Sequence, residues 1–376
     1  MEPATSPTNL GSSLPVPFVQ ELAKESLDTV PERYIRPDQD SPFISPSTSS
    51  VPQIPVVDMA NLLSSEKIVM ESELEKLHLA SKEWGFFQLI NHGVSGSLVE
   101  KVKCGIQELF SLPMEEKKKF LQQEGDIEGF GQAFVVTEDQ KLDWGDLFIL
   151  TTLPKSARKP HLFPKFPLPF RDSLEAYSAE LHNIAKTILE FMAKALRMEV
   201  NEMKELFEDG WQAMRMNYYP PCPQPELAIG LNPHSDASGL TILLQVNETE
   251  GLQIRKDGMW ASVKPLPNAL VVNIGDILEI LTNGIYPSIE HRATVNIAKE
   301  RLSVATFHNP KLDAQLGPAP SLMTPQTPPM FRSITVSDYY KGYFSRELRS
   351  KSYIDVVRTP HVDQEDKALP ITTTIH

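Results

Sequence analysis

The chain is short of several things that would tie it to broad classes of protein. Only two cysteines, Cys104 and Cys222, occur in 376 residues. That is too few for a disulfide framework and fits a reducing, cytoplasmic compartment. Positive charge is also scarce: 36 Lys and Arg stand against 49 Asp and Glu, a formal net charge of -13 with a pI near 5.2. With no basic stripe, a nucleic-acid partner is not expected. No apolar run approaches bilayer-spanning length, so no membrane association is expected. Residues 1–19 lack a basic segment followed by an apolar stretch, so no signal peptide is expected either. What remains is ordinary, with 41% hydrophobic and 23% charged residues, enough for a sizeable core. The expectation is a soluble monomer that acts on a small molecule.

Residues 1–50 read as a disordered or extended arm with a short helix over 19–26. Region 51–200 reads as helices with a few strands. Strands are expected over 54–58 and 84–90, and a helix over 71–83. Ser97-x-x-Glu100 reads as a capping box opening a helix with Leu98, Val102, Ile106 and Leu109 on one stripe. Residues 125–131 are glycine-rich but lack a following Lys-Ser/Thr, so they read as a mobile loop and not a phosphate cradle. A strand-like segment covers 144–150. Leu174, Tyr177, Leu181, Ile184, Ile188 and Met192 repeat at helical spacing within a long helix over 171–198.

Region 211–312 changes character. Short strands are expected over 213–218, 240–246, 252–255, 260–263, 269–274, 290–294 and 302–308. Asp257-Gly258 supplies a type I′ turn, and 276–281 reads as one helical turn or a strand. Region 313–358 holds a helix near 337–348 that packs back on the body, and 359–376 reads as a disordered tail. The expected fold class is α+β with a mainly β core, a double-stranded β-helix (jelly roll) carrying an N-terminal helical region.

The chemistry concentrates between Asn217 and Phe307. In a strand, residues i and i+2 share a face, so His234 and Asp236 point together, as do Arg301 and Ser303. His291 follows Asp236 by 55 positions (291 − 236) and Arg301 follows His291 by 10 (301 − 291). Two imidazoles and one carboxylate make a facial triad that leaves coordination positions open, which suits non-haem Fe(II) oxygen chemistry. Arg301 offers a fixed, always charged fork for a carboxylate-bearing co-substrate. An isolated His-x-Asp is more often a structural pair, so the weight lies in the order of the elements. His78, His161, His182 and His308 lack partner spacing and read as structural. His92 reads as packing between strand and helix, and Cys222 as buried filler.

Further motifs carry a resemblance. They are Trp84-Gly-Phe-Phe, Asn91-His-Gly-Val94, Asn217-Tyr-Tyr-Pro-Pro-Cys-Pro-Gln-Pro225 and Gly230-x-x-x-His-Ser-Asp236. Beyond these lie Asn273-x-Gly-Asp276, Thr282-Asn-Gly284, Glu290-His-Arg292 and Arg301-x-Ser303. Over residues 50–350 the chain resembles the plant 2-oxoglutarate- and Fe(II)-dependent dioxygenases. Gln212-Ala-Met-Arg-Met-Asn-Tyr-Tyr219 and Glu128-Gly-Phe-Gly-Gln132 are similar to the subgroup holding the senescence-related proteins and the poppy thebaine and codeine O-demethylases. The resemblance implies that His234, Asp236 and His291 hold iron. It implies that 2-oxoglutarate chelates the metal while its far carboxylate meets Arg301, Ser303 and Tyr219, with Asn217 nearby. Dioxygen would be the oxidant and ascorbate the supporting reductant. Succinate and carbon dioxide would be released as the substrate is oxidised.

For the substrate pocket, Phe307 shares a strand face with Arg301 and Ser303, and Arg215 shares one with Asn217. Leu147, Ile149 and Phe134 come from the segment that resembles the family's substrate wall, with ordinary core as the competing reading. Such a lining suits a flat or polycyclic molecule, an alkaloid or flavonoid. O-demethylation by way of a hemiacetal, or hydroxylation, is the expected outcome. An ascorbate-using oxidase, a non-catalytic ligand-binding protein and a zinc hydrolase remain alternatives.

Overall fold

In the computed structural model, residues 11–25, 27–36, 53–348 and 350–360 are described. Segments rich in β-branched and aromatic residues become strands. They are β1 (Val56–Asp58), β2 (Phe86–Ile90), β3 (Gly129–Gly131), β4 (Asp146–Leu153), β5 (Trp211–Tyr219), β6 (Leu231–His234), β7 (Leu240–Gln245), β8 (Leu252–Lys256), β9 (Met259–Ser262), β10 (Leu270–Ile274), β11 (His291–Ala293) and β12 (Arg301–Asn309). Eight of them form one sheet in the order β1-β2-β10-β7-β12-β5-β4-β3, and four form a second in the order β6-β11-β8-β9. Phe86, Val271 and Leu243 from the first sheet share an apolar cluster with Leu252, Ile254 and Ala261 from the second. The two sheets therefore pack face to face, in a mixed α+β architecture.

The reverse face of the large sheet is covered by the helix Leu168–Leu196, which buries Leu174, Tyr177, Leu181, Ile184, Ile188 and Met192. These meet Met214, Met216, Leu302 and Val304 in the main core. Each such side chain, fully buried, contributes roughly 1.5–3 kcal/mol. β5 and β12 run antiparallel over nine paired positions, from Arg301↔Tyr219 to Asn309↔Trp211. That ladder divides side chains strictly between the helix and the space between the sheets.

Several boundaries differ from the sequence reading, each for a tertiary reason. The helix expected over 71–83 spans Lys67–Leu79, continues as a wide turn to Trp84, and stops at Gly85 in the left-handed region. A Cβ at Gly85 would come within 2.4 Å of the Pro287 carbonyl oxygen. The helix Gly96–Ser111 is capped by Ser95, whose hydroxyl accepts from the Leu98 amide at 3.3 Å, and not by Ser97. β6 was not expected. It contains Pro233, which only an edge strand tolerates, and β6 is such an edge. Asp276–Leu281 is helical.

The arm is a packed element, not a loose one, over residues 11–25 and 27–36. Val19, Val30 and Tyr34 are buried with Trp144 and Cys222. Part of the glycine-rich stretch is strand β3, paired with β4. Residues 1–10 and 37–52, and the expected tail over 361–376, lie outside the described residues. The C-terminal helix Val336–Phe344 buries Val336, Tyr339, Tyr340 and Tyr343. Among the described residues no helix is long and apolar enough to cross a membrane.

Candidate metal and 2-oxoglutarate site

The side chains of His234, Asp236 and His291 converge between the two sheets, with ligand atoms all within 4.8 Å of one another and all three residues buried. Strand pairing produces this. His234 closes β6 and lies directly opposite His291 at the start of β11. The two ring centroids are 4.2 Å apart. Each ring directs Nδ1 at a backbone carbonyl, His234 at Asn232 (2.8 Å) and His291 at Ile289 (3.1 Å). A carbonyl only accepts, so Nδ1 carries the proton and the Nε2 lone pair is free for a metal. Both Nε2 atoms face Asp236 Oδ1, at 3.5 and 3.7 Å. Phe86, from the Trp-Gly-Phe-Phe motif, packs edge-on to the His291 ring with centroids 5.3 Å apart.

The Asp236 carboxylate is held from behind. Its Oδ2 accepts from Thr241 Oγ1 at 2.7 Å and from Asn273 Nδ2 at 2.8 Å, which leaves Oδ1 to face the imidazoles. Burial alone would raise this carboxyl, but His291, His234 and Asn273 outweigh it and hold it below the usual carboxylate range. Burial, together with the neighbouring His234, lowers His291 to about 4, so it is neutral at physiological pH. Two imidazoles that turn Nε2 toward one ionised carboxylate, with their outer partners in place, fit a divalent iron.

Beside the triad lies a second set on β5 and β12. The register pairs Arg301 with Tyr219, Ser303 with Asn217, Ala305 with Arg215 and Phe307 with Ala213. Arg301 is buried, its guanidinium 5.4 Å from the centre of the Tyr219 ring. Its side chain reaches only neutral partners, Ser303 Oγ at 3.4 Å, Gln245 Oε1 at 3.3 Å and the Tyr219 hydroxyl, and its buried Nε has no partner. Among the described residues no carboxylate pairs with it. A buried guanidinium left with weak neutral contacts is strongly disfavoured unless an anion joins it, so the residues fit a bound dicarboxylate. Gly251 leaves room for the arginine, since a Cβ there would lie 2.7 Å from Arg301 Cδ.

This space opens into an apolar pocket. His234, Asp236, Arg215 and Phe307 line both. Ile149 and Phe134 line the apolar pocket, whereas Leu147 is buried opposite Asn217 and borders neither cavity. Arg215 Nε donates to Asn217 Oδ1 at 2.7 Å, tying the pocket floor to the Ser303 side. Sequence reasoning missed Glu128, Trp211, Tyr340, Tyr343 and Phe344, which also line the pocket. Tyr343 Oη donates to the Ser235 carbonyl at 3.1 Å, between two of the ligands, and Tyr340 Oη donates to Asn309 Oδ1 at 2.6 Å. Phe134 stacks on Phe344 at 5.3 Å. Nothing at short range in the sequence signals that a helix about a hundred residues downstream roofs the metal loop.

Comparison with known proteins agrees with this geometry. Residues 210–310 match the 2OG-Fe(II) oxygenase superfamily, and residues 54–166 match the non-haem dioxygenase in morphine synthesis N-terminal family. The chain is similar to the oxoglutarate-dependent flavonoid 7-O-demethylase 1 of Ocimum basilicum, at 58% identity over 93% of this chain and 92% of that one. It is similar to the codeine O-demethylase of Papaver somniferum, at 54% identity over 93% and 98%. Among solved structures it matches JOX2 in complex with 2OG, Fe and JA, with TM-score 0.83, 35% identity, and coverage of 92% of this chain and 99% of that chain. The converging triad, the unpaired buried arginine and these matches together make the chain a member of the Fe(II)- and 2-oxoglutarate-dependent oxygenases, related to plant O-demethylases, with iron and 2-oxoglutarate bound through His234, Asp236 and His291.

Proposed function

We propose that the chain oxidises a methoxylated polycyclic or aromatic plant metabolite, a flavonoid or an alkaloid, by O-demethylation, with hydroxylation as the related outcome. The observation that carries this reading is that His234, Asp236, Arg215 and Phe307 border both the co-substrate space and an apolar pocket. A flat substrate in that pocket therefore lies beside the metal ligands. Similarity to a flavonoid and a codeine demethylase supports the choice of reaction.

With iron and 2-oxoglutarate bound, oxidative decarboxylation by dioxygen to succinate and carbon dioxide supplies the oxidising power, with ascorbate as the supporting reductant. The chain's own residues do the positioning. Arg301, Ser303 and Tyr219 grip the distal carboxylate of 2-oxoglutarate, and Asn217 fixes Arg215 at the junction. The Phe134–Phe344 stack and Tyr343 shield the pocket from water and hold the substrate ring. Arg215 gives the mostly apolar pocket a guanidinium beside the metal ligands, which suits an oxygen-bearing substrate, while Glu128 is held at the wall by Thr151 and Lys159. Hydroxylation of an O-methyl carbon gives a hemiacetal, which collapses to the free hydroxyl and formaldehyde.

The two facing sheets are read as the double-stranded β-helix of this family, with region 211–312 holding the chemistry and region 51–200 supporting it. A monomer in the cytoplasm completes the reading. The test is a panel of methoxylated flavonoids and alkaloids with Fe(II) and 2-oxoglutarate, following succinate, formaldehyde and product mass together. Succinate with formaldehyde and loss of a methylene supports demethylation. Succinate with added oxygen and no formaldehyde makes the enzyme a hydroxylase. Turnover of a substrate without 2-oxoglutarate would overturn the role given to Arg301.

A further inference from the structure

On the opposite face of the large sheet from the iron lies a second cavity of about 480 Å³. It exists because of small residues at fixed helical spacing. Ala185, Leu189 and Ala193 repeat at i, i+4 and i+8 along the helix Leu168–Leu196 and form one wall. Two alanines there leave space that larger side chains would fill. Met198, Met203 and Phe207 close the far side, and thioether side chains adapt readily to different apolar shapes.

Strand alternation sets the polar end of this cavity. Phe307 faces the substrate pocket, so the next residue, His308, faces the helix and lines the cavity. His308 is 5% exposed, and its Nε2 is buried without a partner. A buried ring nitrogen left in this way is costly, and it places a polar group just behind the cavity wall. The indole Nε1 of Trp211, another lining residue, is likewise buried and unpartnered. The mouth carries Lys186, Lys194, Arg197 and Lys204 against Glu190 and Glu208. Four cations to two carboxylates is a local excess of positive charge on a chain whose formal net charge is -13. Among the described residues neither Lys186 nor Arg197 is in an ion pair.

We propose that this cavity is a second ligand site, which takes an amphipathic organic anion with its apolar body between the helix and the sheet and its acidic group at the Lys186–Arg197 rim. Its volume lies within the range of small-molecule sites, and an apolar interior with a few polar residues at its edge is the pattern such sites show. Opposite charge at the mouth raises the local concentration of an anion and fixes its orientation. Trp211 and Asn309 line both this cavity and the substrate pocket, so independence of the two sites is part of the test.

The probe is 8-anilinonaphthalene-1-sulfonate, titrated by fluorescence into the full chain loaded with Fe(II) and 2-oxoglutarate under nitrogen. The uncharged N-phenyl-1-naphthylamine serves as its control. The expected result is one saturable site for the sulfonate that neither excess 2-oxoglutarate nor a turned-over substrate displaces. The double variant Lys186→Glu/Arg197→Glu should weaken the sulfonate at least tenfold and the neutral probe less than twofold, with unchanged succinate formation in the absence of probe. Both substitutions are at exposed positions, so the fold is kept. Ala193→Trp, which fills the cavity, should abolish binding of both probes. Displacement by substrate or 2-oxoglutarate, equal effects of the double variant on both probes, or sulfonate binding only after removal of residues 361–376 would each overturn the proposal.

Discussion

His234 and His291 stand directly opposite each other on the antiparallel strands β6 and β11, 57 residues apart in the chain (291 − 234), with ring centroids at 4.2 Å. Strand register sets the two imidazoles at a distance a single ion can bridge, and each is oriented by a carbonyl two residues before it. Replacing His234 by Ala leaves one imidazole and one carboxylate. Iron bound per chain should fall to background in elemental analysis, and succinate formation should fall below detection. If substoichiometric iron and measurable turnover persist, His234 is not a ligand.

Asn273 acts one layer out, donating to Asp236 Oδ2 at 2.8 Å. Partners of this kind typically cost about 10–100-fold in metal affinity when removed. Asn273→Ala should therefore weaken Fe(II) by about that factor, with activity recovered at high Fe(II). A loss of kcat that no amount of metal restores would point to a different role.

Arg301→Ala should raise the KM for 2-oxoglutarate about 30-fold or more, because truncating one side of a buried charge pair costs about 2–5 kcal/mol. Gly251→Ala should act in the same direction but less, by crowding Arg301 Cδ. Steady-state kinetics with 2-oxoglutarate varied check both. An unchanged KM in the arginine variant would leave the carboxylate grip unassigned.

Phe344 stacks on Phe134 at the roof of the apolar pocket. An aromatic pair is worth about 0.5–1.5 kcal/mol beyond its area, so Phe344→Ala should raise the KM for an aromatic substrate by about 2–10-fold. The KM for 2-oxoglutarate should not move. Equal shifts in both would mean a general loosening of the site.

Asp146 accepts from the amides of Val19 at 2.9 Å and Gln20 at 2.8 Å, and so anchors the N-terminal arm. Burial pushes its carboxyl up to about 7, against the lowering effect of those two amides and Lys117. The folded state therefore binds this proton more tightly than the unfolded chain does. The associated stability is fully present below the ordinary carboxylate range and is lost as pH rises through about 7. Between pH 6 and 8 the Tm of the native chain should fall relative to Asp146→Asn, whose side chain does not titrate. A difference that is flat across this range would exclude Asp146 as the source.

The triad, the Arg-x-Ser pair, and Arg215 with Phe307 were legible because period-two alternation assigns residues to a face from local spacing alone. The long helix over Leu168–Leu196 was legible for the matching reason, an unbroken stripe of period 3.6. Leu147 shows the limit of that reasoning. It shares a face with Ile149 and is buried, yet it sits opposite Asn217 and borders neither cavity. β6 went unseen because four residues including a proline show no readable period, and only pairing with β11 makes them a strand.

By itself, the sequence determined the His234, Asp236 and His291 triad and the strand faces of Arg301, Ser303, Arg215 and Phe307, since these follow from residue type and backbone periodicity. It narrowed the metal to a divalent ion with open coordination positions, iron or zinc, and the buried Arg301 and the family matches favour iron. Only the tertiary structure decided that Tyr343 ties the last helix to the carbonyl between His234 and Asp236, and that Asn273 and Thr241 hold the far oxygen of the carboxylate. It also decided that His308 faces a cavity behind the sheet. The Tyr343 contact alone joins residues 108 apart. These relations depend on how sheets and helices pack, and no local pattern encodes that.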